Sequence, residues 1–196
     1  MMEIAVMISV HPHWCGKIAD LLKKLEIRKN FPKIPTPFRC YIYCTKDPKQ
    51  QFWRSRTYTY VDDRSHNYFD LCGNGRIIGE FICDRVQTFE WSSYEYPNDR
   101  NGEYLISDED LKSTRLSYQQ FFNYGNYQPL YGWHISDLVI YDKPKKLSDF
   151  YVRKKCNACK ESGYEASACI YDEDCIVPAV VTRPPQSWCY VGEVTP

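Results

Sequence analysis

Between Trp14 and Arg28 the apolar residues change period, and that change constrains the fold of this 196-residue chain more than any other feature. Trp14, Ile18, Leu21, Leu22 and Leu25 recur at i, i+4, i+7, i+8 and i+11, one stripe of a helix that Pro12 can open and that should end near Lys23 to Leu25. From Leu25 the period becomes two. Leu25 and Ile27 then face inward, while Glu26 and Arg28 project side by side from the other face of a short strand. A strand over Met1 to Ser9, a helix and a short charged strand therefore open the chain.

The stretches that follow read mainly as strands. Phe38, Cys40, Ile42 and Cys44 alternate with Arg39, Tyr41, Tyr43 and Thr45, giving one core face and one aromatic, basic face. Ile77 to Val86 forms the next strand, with Glu80 on the face of Ile78 and Ile82. Ser117 caps a short helix through Phe121 and Phe122 that ends near Gly125. Gly132 to Asp142 reads as one long strand, with Trp133, Ile135, Val139 and Tyr141 on one side and His134, Leu138 and Ile140 on the other. A short segment at Leu147 to Tyr151 and a closing strand over Gln186 to Val191 complete the series. The polar excursions are 46–75, with an edge strand at Tyr58 to Val61, 87–116, and a cysteine-rich insert at 152–182.

This order describes an α+β fold, a small mixed β-barrel with a few flanking helices, in one domain over 1–196. Closing a sheet on itself removes its edges. Length favours one elaborated domain, and 12 prolines, 17 tyrosines and 5 tryptophans favour strands and loops over helix. No apolar run approaches the ~18 residues of a membrane span, and Met1 to Val10 carries Glu3 and no basic leader, so a cytoplasmic protein is expected. Its ten cysteines are then better read as reduced thiols or metal ligands, with disulfide bridges the alternative reading.

The formal net charge of zero conceals a gradient: residues 1–60 hold 11 Lys/Arg against 4 Asp/Glu, residues 61–120 hold 6 against 12, and the remainder 8 against 9. The basic excess falls on the first helix and strands, as expected of a phosphate-facing surface.

Lys23-Lys24-Leu25-Glu26-Ile27-Arg28 resembles the Gly-x-Lys-x-x-Glu-x-Arg motif of the ASCH family, with Lys23, Glu26 and Arg28 matching and Leu21 standing at the glycine. The stretches Pro37 to Thr45, Ile78 to Asp84, Gly132 to Asp137 and Arg183 to Cys189 are similar, in that order, to parts of small ASCH proteins often encoded by phages and prophages. The resemblance implies a PUA-like barrel whose partner is RNA, a single-stranded nucleic acid or a modified nucleoside, bound in a cleft between the first helix and the barrel around Lys23, Glu26 and Arg28. Arg28 suits phosphate or a base edge, Lys23 phosphate, and Glu26 an exocyclic amine. Tyr41, Tyr43, Trp133 and Trp188 are candidates for stacking a base, with His134 a further ligand contact.

One branch of the family resembles an amidohydrolase that removes the acetyl group of acetylated cytidine with a lysine, a threonine three residues on and a distant glutamate. Lys23 and Glu80 match two of those roles, and Glu26 occupies the threonine position. A ribonuclease would use Lys23 and Arg28 on the phosphate, with Glu26, Glu80 or His134 for proton transfer. An enzyme would thus draw its catalytic residues from Lys23, Glu26 and Glu80. The alternative readings are that Glu26 and Arg28 form a plain surface ion pair, that the aromatics and His134 serve the core, and that a phage-type effector contacts a host protein. His11 and His13 flank Pro12 at the helix entrance.

Cys156, Cys159, Cys169 and Cys175, spaced Cys-x2-Cys-x9-Cys-x5-Cys, are the candidate ligands of a structural zinc that would clamp the insert. Four thiolates leave no open coordination position, so such a zinc would not catalyse. No organic cofactor is expected. Cys15, Cys40, Cys44, Cys83 and Cys189 read as small core hydrophobes.

Overall fold

The computed structural model describes residues 4–52, 73–94, 100–155 and 176–193, with backbone alone at 153–155 and 176–177. Cys156, Cys159, Cys169 and Cys175, and the edge strand at Tyr58 to Val61, lie outside the described residues.

The apolar opening run forms β1 (Ala5–Val10), whose Val6, Met7 and Ile8 are wholly buried. A strand covered on both faces reads as continuous rather than alternating hydrophobicity. β1 is central: it pairs in parallel with β3 (Phe38–Cys44) and antiparallel with β12 (Trp188–Glu193). Antiparallel neighbours extend the sheet through β4 (Arg76–Cys83) and β9 (Ser136–Lys145) on one side, and through β10 (Phe150–Lys155) and β11 (Ile176–Val180) on the other. The resulting seven-stranded order is β11-β10-β12-β1-β3-β4-β9.

A second sheet has the order β2-β8-β5, from β2 (Leu25–Arg28), β8 (Leu130–His134) and β5 (Val86–Phe89). A small hairpin joins β6 (Trp91–Ser93) to β7 (Gly102–Tyr104). Three helices complete the described fold: α1 (Pro12–Ala19), α2 (Asp108–Thr114) and α3 (Tyr118–Gly125), the last opened by a reciprocal Ser117–Gln120 capping box. A single 3-10 turn, Leu147–Asp149, stands where a short segment was expected.

The α+β class holds. The described strands, however, form separate open sheets and do not close into a barrel. Two corners carry the chain between the larger sheets. The expected Ile77 to Val86 strand breaks at Asp84-Arg85, and Val86 begins β5 in the other sheet. The expected Gly132 to Asp142 strand breaks at Ile135, and Asp137, at φ 45°, shifts the alternation so that Trp133, Ile135, Leu138 and Ile140 all pack on one core. His134 fastens the two corners together: its backbone N–H donates to Arg85 O at 3.0 Å, and its Nδ1 lies 2.6 Å from Asp84 Oδ1.

The strand pleat sorts side chains into three cores. Cys40, Ile42 and Cys44 of β3 meet Ile78, Phe81, Cys15, Ile18 and Trp133 between the two sheets. Tyr41 and Tyr43 face the opposite side of the large sheet with Met7, Ile77 and Phe150. Leu25, Ile27, Phe89, Leu130 and Phe121 fill the space between the small sheet and α3. Gly132 lies in that third core, where a Cβ would stand 2.8 Å from the Phe89 ring. Within 87–116, β5 completes the small sheet, and Tyr104 and Leu111 join its core. Cys15, Cys40, Cys44 and Cys83 are buried free thiols, and Cys189 is half-buried. Burial raises the thiol of Cys83 to about 12 and that of Cys189 to about 11, as expected of packing residues.

Candidate functional site

α1 is shorter than its apolar stripe suggests. It ends at Ala19, leaving Leu21 and Leu22 exposed. The termination is a Schellman turn: Leu22 N–H donates to Lys17 O and Leu21 N–H to Ile18 O, both at 2.9 Å. Leu21 occupies the position after the cap that calls for a left-handed backbone, at φ 57°. Glycine is the usual residue there because it has no Cβ to clash. The turn reverses the chain at once and swings Lys23 back under α1, 5.3 Å from the Trp14 ring.

β2 then places its two charges on the face opposite Leu25 and Ile27. Glu26 is the cross-strand neighbour of Trp133, and Arg28 of Tyr131, so both point between the sheets. Lys23, Glu26 and Arg28 are each less than one-tenth exposed. Arg28 Nη2 bonds Glu26 Oε1 at 2.9 Å and donates to Ser9 O at 2.8 Å, while Nη1 lies 3.4 Å from Ser187 O and Oγ. Lys23 Nζ donates to Thr114 O at 2.8 Å and stands 3.5 Å from Glu26 Oε2, which accepts no hydrogen bond. Arg28 Nε is also buried without a partner. The Glu26–Arg28 pair is thus buried, not a plain surface ion pair.

The three residues line a cleft of about 340 Å³ with Ser9, His11, Trp14, Leu116, Gln120 and Tyr124. Two cations and one carboxylate leave the cluster with a net positive charge, and removing charge from water costs several kcal/mol per ion. Lys23 shows the consequence: burial pulls its pKa below 10.5, and the Glu26 carboxylate opposes the shift without overcoming it. Burial likewise raises the Tyr124 phenol, with Arg28 opposing.

Other sequence candidates lie elsewhere. Glu80 is the cross-strand partner of Tyr41, on the far side of the large sheet, where it pairs with Arg39 and accepts from the Tyr141 hydroxyl. A bulge between Ile77 and Gly79 breaks the alternation that put Glu80 with Ile78. Tyr41 donates to Glu193 at 3.1 Å, and Tyr43 is buried against the same core, so neither reaches the cleft. Trp133 is wholly buried beside Phe38. Trp188 packs edge-on against Trp133 and donates to Asn30 Oδ1 at 2.6 Å, next to the Ser187 that meets Arg28. His134 serves the corners described above.

Sequence reasoning passed over Trp14, Gln120 and Tyr124 as cleft walls. Trp14 is the first residue of the stripe and could have been found there, whereas Tyr124 and Gln120 depend on how α3 packs. Thr114 contributes its carbonyl only, since its hydroxyl donates to Leu111 O and accepts from Leu116 N–H. It supplies no replacement for the threonine absent at position 26.

No protein-family model and no curated protein matches the chain. Among solved structures it is similar to the ASCH protein of Zymomonas mobilis, at 14% identity and a TM-score of 0.46 over 95% of this chain and 86% of that one. It is also similar to two single-residue variants of that protein, at 14% identity and TM-scores of 0.44 and 0.45 over 95% of this chain and 88% and 87% of theirs. At this identity and score the likeness assigns neither ligand nor reaction. The phage association of the sequence resemblance has no counterpart in these three structures.

Proposed function

We propose that the chain is a PUA-like ASCH module that holds one nucleotide of RNA, or a modified nucleobase, in the cleft around Lys23, Glu26 and Arg28. The observation that carries this reading is the buried, net positive triad opening on a cleft walled by Trp14 and Tyr124. A ligand with an anionic or acceptor edge relieves the excess charge, a flat base packs against the aromatics, and Glu26 Oε2, which accepts no hydrogen bond, suits an exocyclic amine. Burial of the site favours an inserted base over a duplex.

A second reading, a small hydrolase on the same cleft, is favoured by the lowered pKa of Lys23. A lysine that sheds its proton more easily is more often in the unprotonated form that a general base needs. Any such mechanism uses Lys23 and Glu26 without Glu80, which lies across the sheet.

Calorimetric titration with nucleoside monophosphates, acetylcytidine and short single-stranded RNA and DNA tests the proposal, beside Lys23→Met and Tyr124→Ala variants. Binding that both variants weaken supports the cleft. Release of acetate or cleaved RNA by the wild type alone supports turnover, and no binding by any ligand overturns both readings.

A further inference from the structure

The cleft is continued outward by a strip of exposed aromatics and lysines contributed by residues 29–33, Tyr124 and Tyr190. Tyr124 belongs to both features: it lines the cleft, and Lys29 Nζ sits 5.3 Å over its ring. Two residues on, Phe31 is 44% exposed and rests on Tyr131 at 4.8 Å between centroids. Lys33 follows, with its backbone N–H donating to the Tyr190 hydroxyl at 2.7 Å. Tyr190 in turn packs against Trp188, whose indole is fixed on Asn30. Tyr124 and Tyr190 are each 38% exposed.

Large aromatics left in water beside cations are poor candidates for core filling, and their charge environment selects the partner. From Ile27 to Lys46 the sequence has no Asp or Glu but carries Arg28, Lys29, Lys33, Arg39 and Lys46. The other contributing segments, 118–125 and 186–192, also lack carboxylates. Exposed rings and lysines drawn from segments that carry no carboxylate complement a polyanion whose repeating unit has a flat face, which describes a single-stranded nucleic acid.

We propose that Lys29, Phe31 and Lys33, flanked by Tyr124 and Tyr190, form a track for the nucleotides adjoining the one in the cleft. The physiological ligand is then a single strand and not a free nucleoside. Phe31 stacks a base, and the two lysines neutralise phosphates on either side of it. Neither lysine side chain nor the Phe31 ring belongs to the buried triad, so the track can be removed without opening the cleft.

The test compares wild type with the Lys29→Ala, Phe31→Ala, Lys33→Ala triple variant on a fluorescent single-stranded RNA dodecamer, its DNA equivalent, and a nucleoside monophosphate, with thermal melting to verify folding. The expected result is a loss of about tenfold or more on the oligonucleotides, with monophosphate affinity unchanged. Against salt, the log–log slope should flatten by about 1.4 as two phosphate contacts are lost. Unchanged oligonucleotide affinity overturns the track, as does an equal loss on the monophosphate, which would place the effect in the cleft. Wild type that binds the monophosphate but neither oligonucleotide also overturns it and leaves the cleft reading standing. Oligonucleotide binding that depends on the track without any monophosphate binding fails the cleft reading alone. A preference between the RNA and DNA probes identifies the strand.

Discussion

Replacing Leu21 with glycine should stabilise the protein, although it deletes an apolar side chain. Leu21 sits at φ 57° in the Schellman turn that ends α1, and a left-handed backbone costs an L-residue about 1–2 kcal/mol. Glycine removes that cost but adds about 0.5–1 kcal/mol of unfolded-state entropy. The lost side chain matters little, because Leu21 is 65% exposed. The clean comparison is Leu21→Gly against Leu21→Ala, since both delete the side chain and only glycine relieves the backbone. The glycine variant should be the more stable by about 0.5–1 kcal/mol, or about 1–4 °C in melting temperature for a chain of this size. Differential scanning calorimetry on the two variants and wild type reads this directly. A glycine variant melting at or below the alanine variant would refute the reasoning, because the turn would then not require a left-handed residue. The same comparison bears on the site, since this turn is what brings Lys23 back under α1.

Two further outcomes are expected. Because burial lowers the Lys23 pKa in the folded state, the unfolded chain binds more protons between that lowered value and 10.5, so wild type should gain stability relative to Lys23→Met as pH rises through this window. Urea denaturation of both proteins from neutral pH to 10.5 measures the difference and cancels the tyrosine titrations common to both; a flat or falling difference would contradict the shift. Glu80→Gln should disturb the Arg39 and Tyr141 contacts and lower the melting temperature, while leaving ligand affinity in the cleft within about twofold, as expected of sites that share no partner. A large affinity loss in a folded Glu80→Gln protein would restore Glu80 to the site.

The parts of the fold legible in the sequence were those fixed by local chemistry. The change of period at Leu25 announced β2 and the placement of Glu26 beside Arg28, and Ser117 announced α3. Where tertiary geometry overrides local pattern, the reading slipped. Leu21 and Leu22 continue an apolar stripe but are exposed beyond a Schellman turn. A break at Ile135 divides one apparent strand into two, and the Asp84-Arg85 corner divides another between sheets. Such corners carry no composition signal, because Val86 and Trp133 remain apolar on either side of them.

The same cause separates the candidate site residues into those that meet and those that do not. Lys23, Glu26 and Arg28 are joined by one turn and one four-residue strand, so local sequence determines their relative placement. Tyr41 and Tyr43 were placed by period-two alternation along β3, which establishes which residues share a face but not which face meets α1, and a bulge in β4 takes Glu80 off the face of Ile78. The register answers that question: Cys40, Ile42 and Cys44 face α1 and the cleft side, so Tyr41, Tyr43 and the cross-strand Glu80 must face away. The second carboxylate is thereby absorbed into a separate network with Arg39 and Tyr141, and the cleft keeps a single carboxylate against two cations. That imbalance makes an anionic ligand and a deprotonated Lys23 competing ways to relieve one electrostatic cost. Binding that raises the Lys23 pKa therefore marks a ligand held as an anion, whereas turnover that rises with pH marks the lysine as a base.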